Sequence, residues 1–121
     1  MTTTIIKTVF RRGDVILVLF PNSDLDTAKR RPALIVQADN LQTGLSQYVV
    51  AMITSNLARA NHPSRVKVLY RDAKGKKSGL LTDSIVMTDN LATVAVSAIE
   101  RRIGTLSMTE VDSALKHTLG L

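Results

Sequence analysis

The feature that most constrains the fold of this 121-residue chain is a series of short apolar runs separated by polar or turn-forming residues. Runs of this length, bounded by glycine, proline or polar clusters, are typical of β-strands. The runs are DVILVLF at 14–20, PALIVQ at 32–37, QYVVAMI at 47–53, RVKVLY at 65–70, LLTDSIVM at 80–87 and ATVAVSAI at 92–99. The sequence therefore predicts a mainly β fold, a strongly twisted antiparallel barrel of five to seven strands in a single domain spanning 1–121.

Three connections between these runs are informative. The segment PNSDLDTAKR at 21–30 is too long for a tight hairpin and is expected to be a polar loop. The segment RDAKGKKSG at 71–79 is expected to be a basic turn, and a break at 88–91 is expected to separate the last two strands.

The C-terminal segment carries the clearest helix signal. Ser107 and Glu110 have the spacing of a capping box, in which each side chain accepts a hydrogen bond from a free backbone amide of the first turn. Met108, Val111 and Leu115 then recur on one helical face together with Leu119. The pattern predicts a helix at 107–119 packed on the barrel.

Composition narrows the partners and the location. The formal net charge of +6 and the pI near 10.1 favour a polyanionic partner. Aromatic residues are 3% of the chain, which disfavours a stacking platform for single-stranded bases. The absence of cysteine and the lack of any apolar run near 20 residues fit a cytoplasmic protein that is neither exported nor inserted in a membrane.

The chain contains no Walker A loop, no HExxH and no GxSxG motif. A P-loop nucleotide-binding protein, a zinc-dependent hydrolase and a serine hydrolase are therefore disfavoured. The two histidines, His62 and His117, have no metal-spaced partner, and we expect no metal site. The polar residues that remain lie at the ends of predicted strands. They are Arg31, Thr54, Ser55, Asp83, Ser84 and Asp89.

The order and spacing of several motifs resemble the MazF/PemK (Kid) family of toxin endoribonucleases from bacterial toxin-antitoxin modules. RRGDVILVLFP looks like the family's opening RGDV strand, RRPALIV like its RP strand, AMITSN like its IT strand end, and DSIVMTDNLATV like its DSV segment. Ten positions separate Pro21 from Arg31, as in typical members. The resemblance runs from about Arg12 through GTLS and into the final helix, and it implies an SH3-like barrel of the CcdB/MazF kind.

The resemblance implies metal-independent cleavage of single-stranded RNA without a cofactor, leaving a 2',3'-cyclic phosphate and a 5'-hydroxyl. Arg31 and Thr54 match the family's catalytic arginine and threonine. Because a guanidinium group stays protonated in proteins, we expect Arg31 to donate two hydrogen bonds to the phosphoryl oxygens and not to transfer a proton. Asp89 is the first candidate for the base, and Asp83 is the second.

By the same resemblance, the RNA-binding surface is expected to include further polar residues around these strands. They are Asp26, Lys29, Arg30, Ser55, Asn56, Asp83, Ser84 and Asn90. The implied partners are a cognate antitoxin with an acidic, disordered tail and a second copy of the chain in a homodimer, with no membrane.

Two departures from the family pattern keep an alternative open. Met87 and Ala92 stand where members often carry arginines. A catalytically degenerate module that binds RNA or antitoxin is therefore the second hypothesis. A CcdB-like gyrase poison is the third, and it is disfavoured because the chain ends in HTLGL and has no tryptophan.

Overall fold

The computed structural model describes residues 9–21 and 27–121. Six strands form one antiparallel sheet in the order β4-β5-β3-β2-β1-β6. The elements are β1 Asp14–Pro21, β2 Ala28–Ile35, β3 Gln47–Thr54, β4 Arg65–Val68, α1 Ala73–Ser78, β5 Ser84–Ala95, β6 Ile99–Thr105 and α2 Thr109–Leu119, with short 3₁₀ turns at Leu57–Arg59 and Val96–Ala98. The predicted mainly β fold with a C-terminal helix is confirmed. Among the helices described, none is both long and apolar enough to cross a membrane.

The two edge strands of the sheet, β4 and β6, are connected through helix α1. Helix α1 follows β4, and its C-terminal end lies against the backbone of β6. A side chain at Gly104 would approach the backbone oxygen of Lys77 to 2.3 Å, and one at Gly79 would approach that of Ile103 to 2.0 Å. Glycine is therefore required on both sides of this contact.

Apolar side chains pack in two clusters around the sheet, as the alternation of side chains along each strand requires. The cluster that includes Val15, Leu34, Val68 and Val111 is covered by α2. The second cluster includes Ile16, Ala33, Val50 and Ile99, with Phe10 packed edge-on against Tyr48 at a ring-centroid distance of 5.7 Å.

Strand β2 begins four residues earlier than predicted. Residues 28–31 pair with β1, and Arg31 lies opposite Val18, so the basic residues belong to the strand and not to the preceding loop. The prediction was wrong because the run of cations lacks apolar residues, whereas backbone pairing with β1 needs none.

The predicted basic turn at 71–79 is instead the helix α1. Asp72 caps it, since its carboxylate accepts a hydrogen bond from the Gly75 amide at 2.8 Å. Gly79 ends it in the left-handed conformation, with φ of 73°. The three lysines of the segment obscured a capped helix that the Asp and Gly positions would have indicated.

The predicted break at 88–91 is a bulge within one continuous strand, β5. This strand starts at Ser84, so residues 80–83 of the predicted strand at 80–87 lie before it. Adjacent residues Ala51 and Met52 of β3 pair with Leu91 and Met87, which leaves residues 88–90 without partners on β3. Extra residues of this kind bend a strand and redirect its side chains without ending it.

Helix α2 begins later than predicted, at Thr109, and its N-cap position is Met108 with no side-chain hydrogen bond. The predicted capping box of Ser107 and Glu110 is therefore wrong. The Glu110 carboxylate pairs instead with the Lys74 ammonium of α1 at 2.9 Å, which joins the two helices. Of the predicted helical face, Leu119 is 55% exposed.

Candidate active site

An open groove of about 820 Å³ lies where the basic half of β2 meets the end of β3. It is lined by parts of five strands, by the 3₁₀ turn after β3 and by the segment after α1. The polar lining consists of Lys29, Arg30, Arg31, Thr54, Ser55, Arg59, Thr82, Ser84, Asn90 and Arg101. Within the described part of the chain, no carboxylate lines the groove, so the charged side chains of the lining are all cations.

The groove opens because β2 and β3 diverge. Their pairing ends at Ala33 and Met52, and the next residue of β2 is Pro32, which has no N–H to donate to a neighbouring strand. Beyond this point β2 continues along β1 alone, while β3 continues along β5. Arg31 and Thr54 lie two residues past the last pair, one on each strand, and both line the groove.

The two adjacent arginines of β2 differ in their partners. The Arg30 Nε lies 2.5 Å from the Glu100 Oε2 atom of β6, so its charge is neutralised by a protein carboxylate. Arg31 forms no ion pair or side-chain hydrogen bond with any residue that the structure describes. Arg31 is therefore free to bind an anion with its planar set of donors.

The hydroxyl of Thr54 is oriented by the turn that follows it. Its Oγ1 atom accepts a hydrogen bond from the Asn56 amide at 3.1 Å, which leaves the hydroxyl proton for another acceptor. The Asn56 side chain caps the 3₁₀ turn by accepting from the Ala58 amide at 3.1 Å, and Asn56 is not part of the groove lining. Thr54 can therefore donate to an oxygen held by Arg31.

Two cations of the groove were not predicted from the sequence, Arg59 and Arg101. Arg101 reaches the groove through the register of the sheet, because Leu17 of β1 pairs with Pro32 on one side and with Arg101 on the other. Neither arginine has an ion-pair partner among residues 9–21 and 27–121. From the sequence they look like ordinary surface residues, and only the register identifies Arg101.

Asp89, the first candidate for the base, lies on the β5 bulge and is not part of the groove lining. The Arg65 Nη2 atom lies 2.8 Å from the Asp89 Oδ2 atom. This hydrogen bond, opposed by partial burial, holds the pKa of the Asp89 carboxyl below its usual range. A lowered pKa keeps Asp89 ionised but weakens it as a proton acceptor.

The other predicted RNA-binding residues divide between the groove and its support. Lys29, Ser55, Ser84 and Asn90 line the groove together with Arg30. Asp83 is not in the lining, and its Oδ1 atom accepts from the Tyr70 amide at 3.1 Å. Asp26 lies outside the described residues.

His62 and His117, which are far apart in sequence, lie side by side with ring centroids 6.0 Å apart. The His62 Nδ1 atom accepts from the Ser64 amide at 3.1 Å, so this ring stabilises its own turn. No cluster of three or more potential metal ligands was found in the described ranges.

The sequence profile of the family described as "PemK-like, MazF-like toxin of type II toxin-antitoxin system" matches residues 11–119. The chain belongs to this toxin family. A curated relative, the endoribonuclease MazF of Staphylococcus epidermidis, is 32% identical over 117 residues, and the alignment covers 93% of each chain. The MazF/PemK resemblance found in the sequence is therefore confirmed.

Solved structures of the family share its fold. An endoribonuclease in complex with its cognate antitoxin from Mycobacterial species matches with a TM-score of 0.71 at 22% identity, covering 93% of this chain and 97% of that one. A MazE-MazF structure from Deinococcus radiodurans matches with a TM-score of 0.72 at 15% identity, covering 95% and 99%. The six-stranded sheet with its C-terminal helix is thus the fold of MazF toxins.

Proposed function

We propose that this toxin is a metal-independent endoribonuclease that cleaves single-stranded RNA in the cytoplasm and so inhibits translation and growth. The observation that carries the proposal is that the unpaired Arg31 and Thr54 line the same groove where β2 and β3 diverge. A groove lined by cations and hydroxyls, with no carboxylate among its described residues, suits a phosphodiester bound directly by side chains.

In the proposed reaction the 2'-oxygen of a ribose attacks the adjacent phosphorus, and the bond from phosphorus to the 5'-oxygen of the next nucleotide breaks. The 2'-hydroxyl loses its proton and the departing 5'-oxygen gains one, so the products are a 2',3'-cyclic phosphate and a 5'-hydroxyl. Arg31 and Thr54 donate hydrogen bonds to the phosphoryl oxygens, where negative charge increases in the transition state. Such donors raise kcat because the bonds strengthen as the charge develops.

The remaining groove cations are proposed to bind RNA without taking part in the chemistry. Lys29, Arg59 and Arg101 lie on three different elements around Arg31, and they can contact phosphates on both sides of the scissile one. Each such contact releases a counterion, so RNA affinity is expected to fall steeply with salt.

The test is incubation of the purified protein with a long single-stranded transcript in EDTA, with the Arg31→Ala variant as the control. Fragments that end in 2',3'-cyclic phosphate and begin with 5'-hydroxyl, absent from the control, support the proposal. A transcript that is bound but intact would show a degenerate binding module instead. The buried Met87 in the groove wall, at a position where an arginine is expected, is the feature that favours that second function.

We also propose that a cognate antitoxin inserts an acidic, disordered tail into the same groove and folds on binding. Two solved relatives are toxin complexes with an antitoxin, by their descriptions. The unpaired cations of the groove offer sites for carboxylates as well as for phosphates. A saturating acidic antitoxin peptide is expected to displace labelled RNA, and unchanged RNA binding would contradict a shared groove.

A homodimer is the last part of the proposal. Residues 92–99, which end β5 and begin β6, carry no charge, and their exposed side chains are the small Thr93, Ala95 and Ser97. Such a surface can pack closely against a second copy. Light scattering is expected to return twice the 13.2 kDa of one chain, and the mass of one chain at micromolar concentration would contradict the dimer.

A further inference from the structure

The bulge of β5 directs three consecutive side chains to three different places. The Thr88 hydroxyl is buried and donates to the Ser64 carbonyl at 2.6 Å. Asp89 pairs with Arg65, and Asn90 lines the groove. Residues 88–90 have no partners on β3, so the bulge beside Asn90 is held by the contacts of Thr88 with Ser64, which include a backbone hydrogen bond, and by the Asp89–Arg65 pair.

A single guanidinium group joins this bulge to the 3₁₀ turn that carries Arg59. From β4, Arg65 contacts both carboxylate oxygens of Asp89, with Nη2 at 2.8 Å from Oδ2 and Nε at 3.4 Å from Oδ1. Its Nη1 atom donates to the Arg59 carbonyl at 3.0 Å. Two groove-lining residues, Asn90 and Arg59, are thus adjacent to groups that Arg65 holds.

We propose that Arg65 is a positioning residue that sets the substrate selectivity of the groove; this inference rests on the proposed ribonuclease function. Through Asp89 and the Arg59 carbonyl, Arg65 fixes the Asn90 amide and the Arg59 side chain at one end of the groove. An Asn amide both donates and accepts hydrogen bonds, so it can read a base edge, while Arg59 binds the neighbouring phosphate. Asp89 acts here through Arg65 and does not touch the substrate.

The geometry requires an arginine at position 65. A planar guanidinium donates in several fixed directions at once, whereas a lysine ammonium offers one compact charge that cannot span the carboxylate and the carbonyl together. Arg65→Lys therefore keeps the charge and removes the bridge. Asp89→Asn removes the charge of the partner while keeping its shape and one acceptor.

The chain contains a matched control near the start of α2. Arg12 also joins a carboxylate to a backbone carbonyl, with Nη2 2.5 Å from the Asp112 Oδ1 atom and Nε 3.0 Å from the Val36 oxygen. None of these three residues lines the groove. Arg12→Lys thus removes the same kind of bridge at a place where only stability depends on it.

The experiment measures kcat, KM and the distribution of cut sites on a mixed-sequence transcript for the parental protein, Arg65→Lys, Asp89→Asn and Arg12→Lys. We expect Arg65→Lys and Asp89→Asn to raise KM on the order of tenfold, to change kcat less than about threefold, and to accept additional bases at one position beside the cut. Arg12→Lys is expected to keep the parental kinetics and cut sites. Its Tm should fall slightly, by about as much as the Tm of Arg65→Lys.

Unchanged KM and cut sites in Arg65→Lys, or equal changes in Arg12→Lys, would overturn the positioning role. So would a loss of kcat of about a hundredfold in Asp89→Asn at unchanged KM, because that result would make Asp89 the catalytic base. If the parental protein cuts no RNA, the proposed function fails separately. RNA affinity by fluorescence anisotropy then decides the inference, which requires weaker binding for Arg65→Lys and parental binding for Arg12→Lys.

Discussion

The two halves of β2 belong to one continuous strand but lie in opposite environments. Residues 33–35 are fully buried between β1 and β3, whereas residues 28–31 pair with β1 alone and are exposed. The change occurs at Pro32, where the strand loses its second neighbour. Burial on both sides leaves room only for apolar side chains, while the half with one neighbour can present cations to a ligand.

The largest expected effect is on stability, in the buried half. Leu34→Ala removes a fully buried side chain and leaves a cavity, and we expect the free energy of unfolding to fall by about 3 kcal/mol. Urea denaturation measures this loss, while kcat of the folded protein should stay parental. A loss of kcat with intact stability would show that the two halves are not functionally separate.

The corresponding change in the exposed half affects the reaction. Arg31→Ala is expected to reduce the single-turnover cleavage rate about a hundredfold, because a donor to the charge of the transition state is removed. The free energy of unfolding should change by less than about 0.5 kcal/mol, since Arg31 has no described partner to lose. Arg31→Lys should not restore the rate, because an ammonium cannot form the bidentate contact.

Cleavage by Arg31→Ala at the parental rate, with merely weaker binding, would contradict the catalytic role. The basic half of β2 would then serve only to attract RNA. RNA affinity measured at two salt concentrations separates these outcomes, because a binding contact changes the salt dependence and a purely catalytic contact does not.

A smaller effect is expected at the neighbouring arginine. Arg30→Ala should weaken RNA affinity only a few-fold and reduce its salt dependence slightly, because Arg30 is already paired with Glu100. Glu100→Gln should change RNA affinity in the opposite direction, because it frees the Arg30 charge. RNA binding at low salt should become tighter. If Glu100→Gln left the affinity unchanged at every salt concentration, Arg30 would not be part of the RNA-binding surface.

The smallest effect concerns the pH dependence of the Asp89–Arg65 pair. The pKa of Asp89 is lowered in the folded protein, so its pair with Arg65 stabilises the fold above the unfolded pKa of about 3.9. That stabilisation is lost as the pH falls through the folded pKa. By urea unfolding, the difference in stability between the parental protein and Asp89→Asn should therefore be smaller at pH 3 than at pH 7, and an equal difference at both values would contradict a charged pair.

Part of the fold followed from local sequence because several strands are apolar enough to be recognised alone, whereas the polar strand β6 was not predicted. Residues 14–20 and 47–53 are examples, and their observed strands differ by only one residue at an end. The helix start was less predictable, because Ser107 and Glu110 have the spacing of a capping box but Glu110 is drawn to Lys74 of another helix. A tertiary ion pair replaced a local hydrogen bond.

What the sequence by itself determined is the position of strands such as β1 and β3, the positive charge and, through motif order, the choice of Arg31 and Thr54 as catalytic candidates. The tertiary structure alone decided which cations share a groove. Arg101 lies in the same row of the sheet as Pro32 only because both residues pair with Leu17 of β1. It also decided that Asp89 faces Arg65, since a bulge three residues long cannot be read from local preferences. The physical reason is the same in both cases: pairing between strands that are distant in sequence depends on the whole sheet, whereas strand formation depends on neighbouring residues.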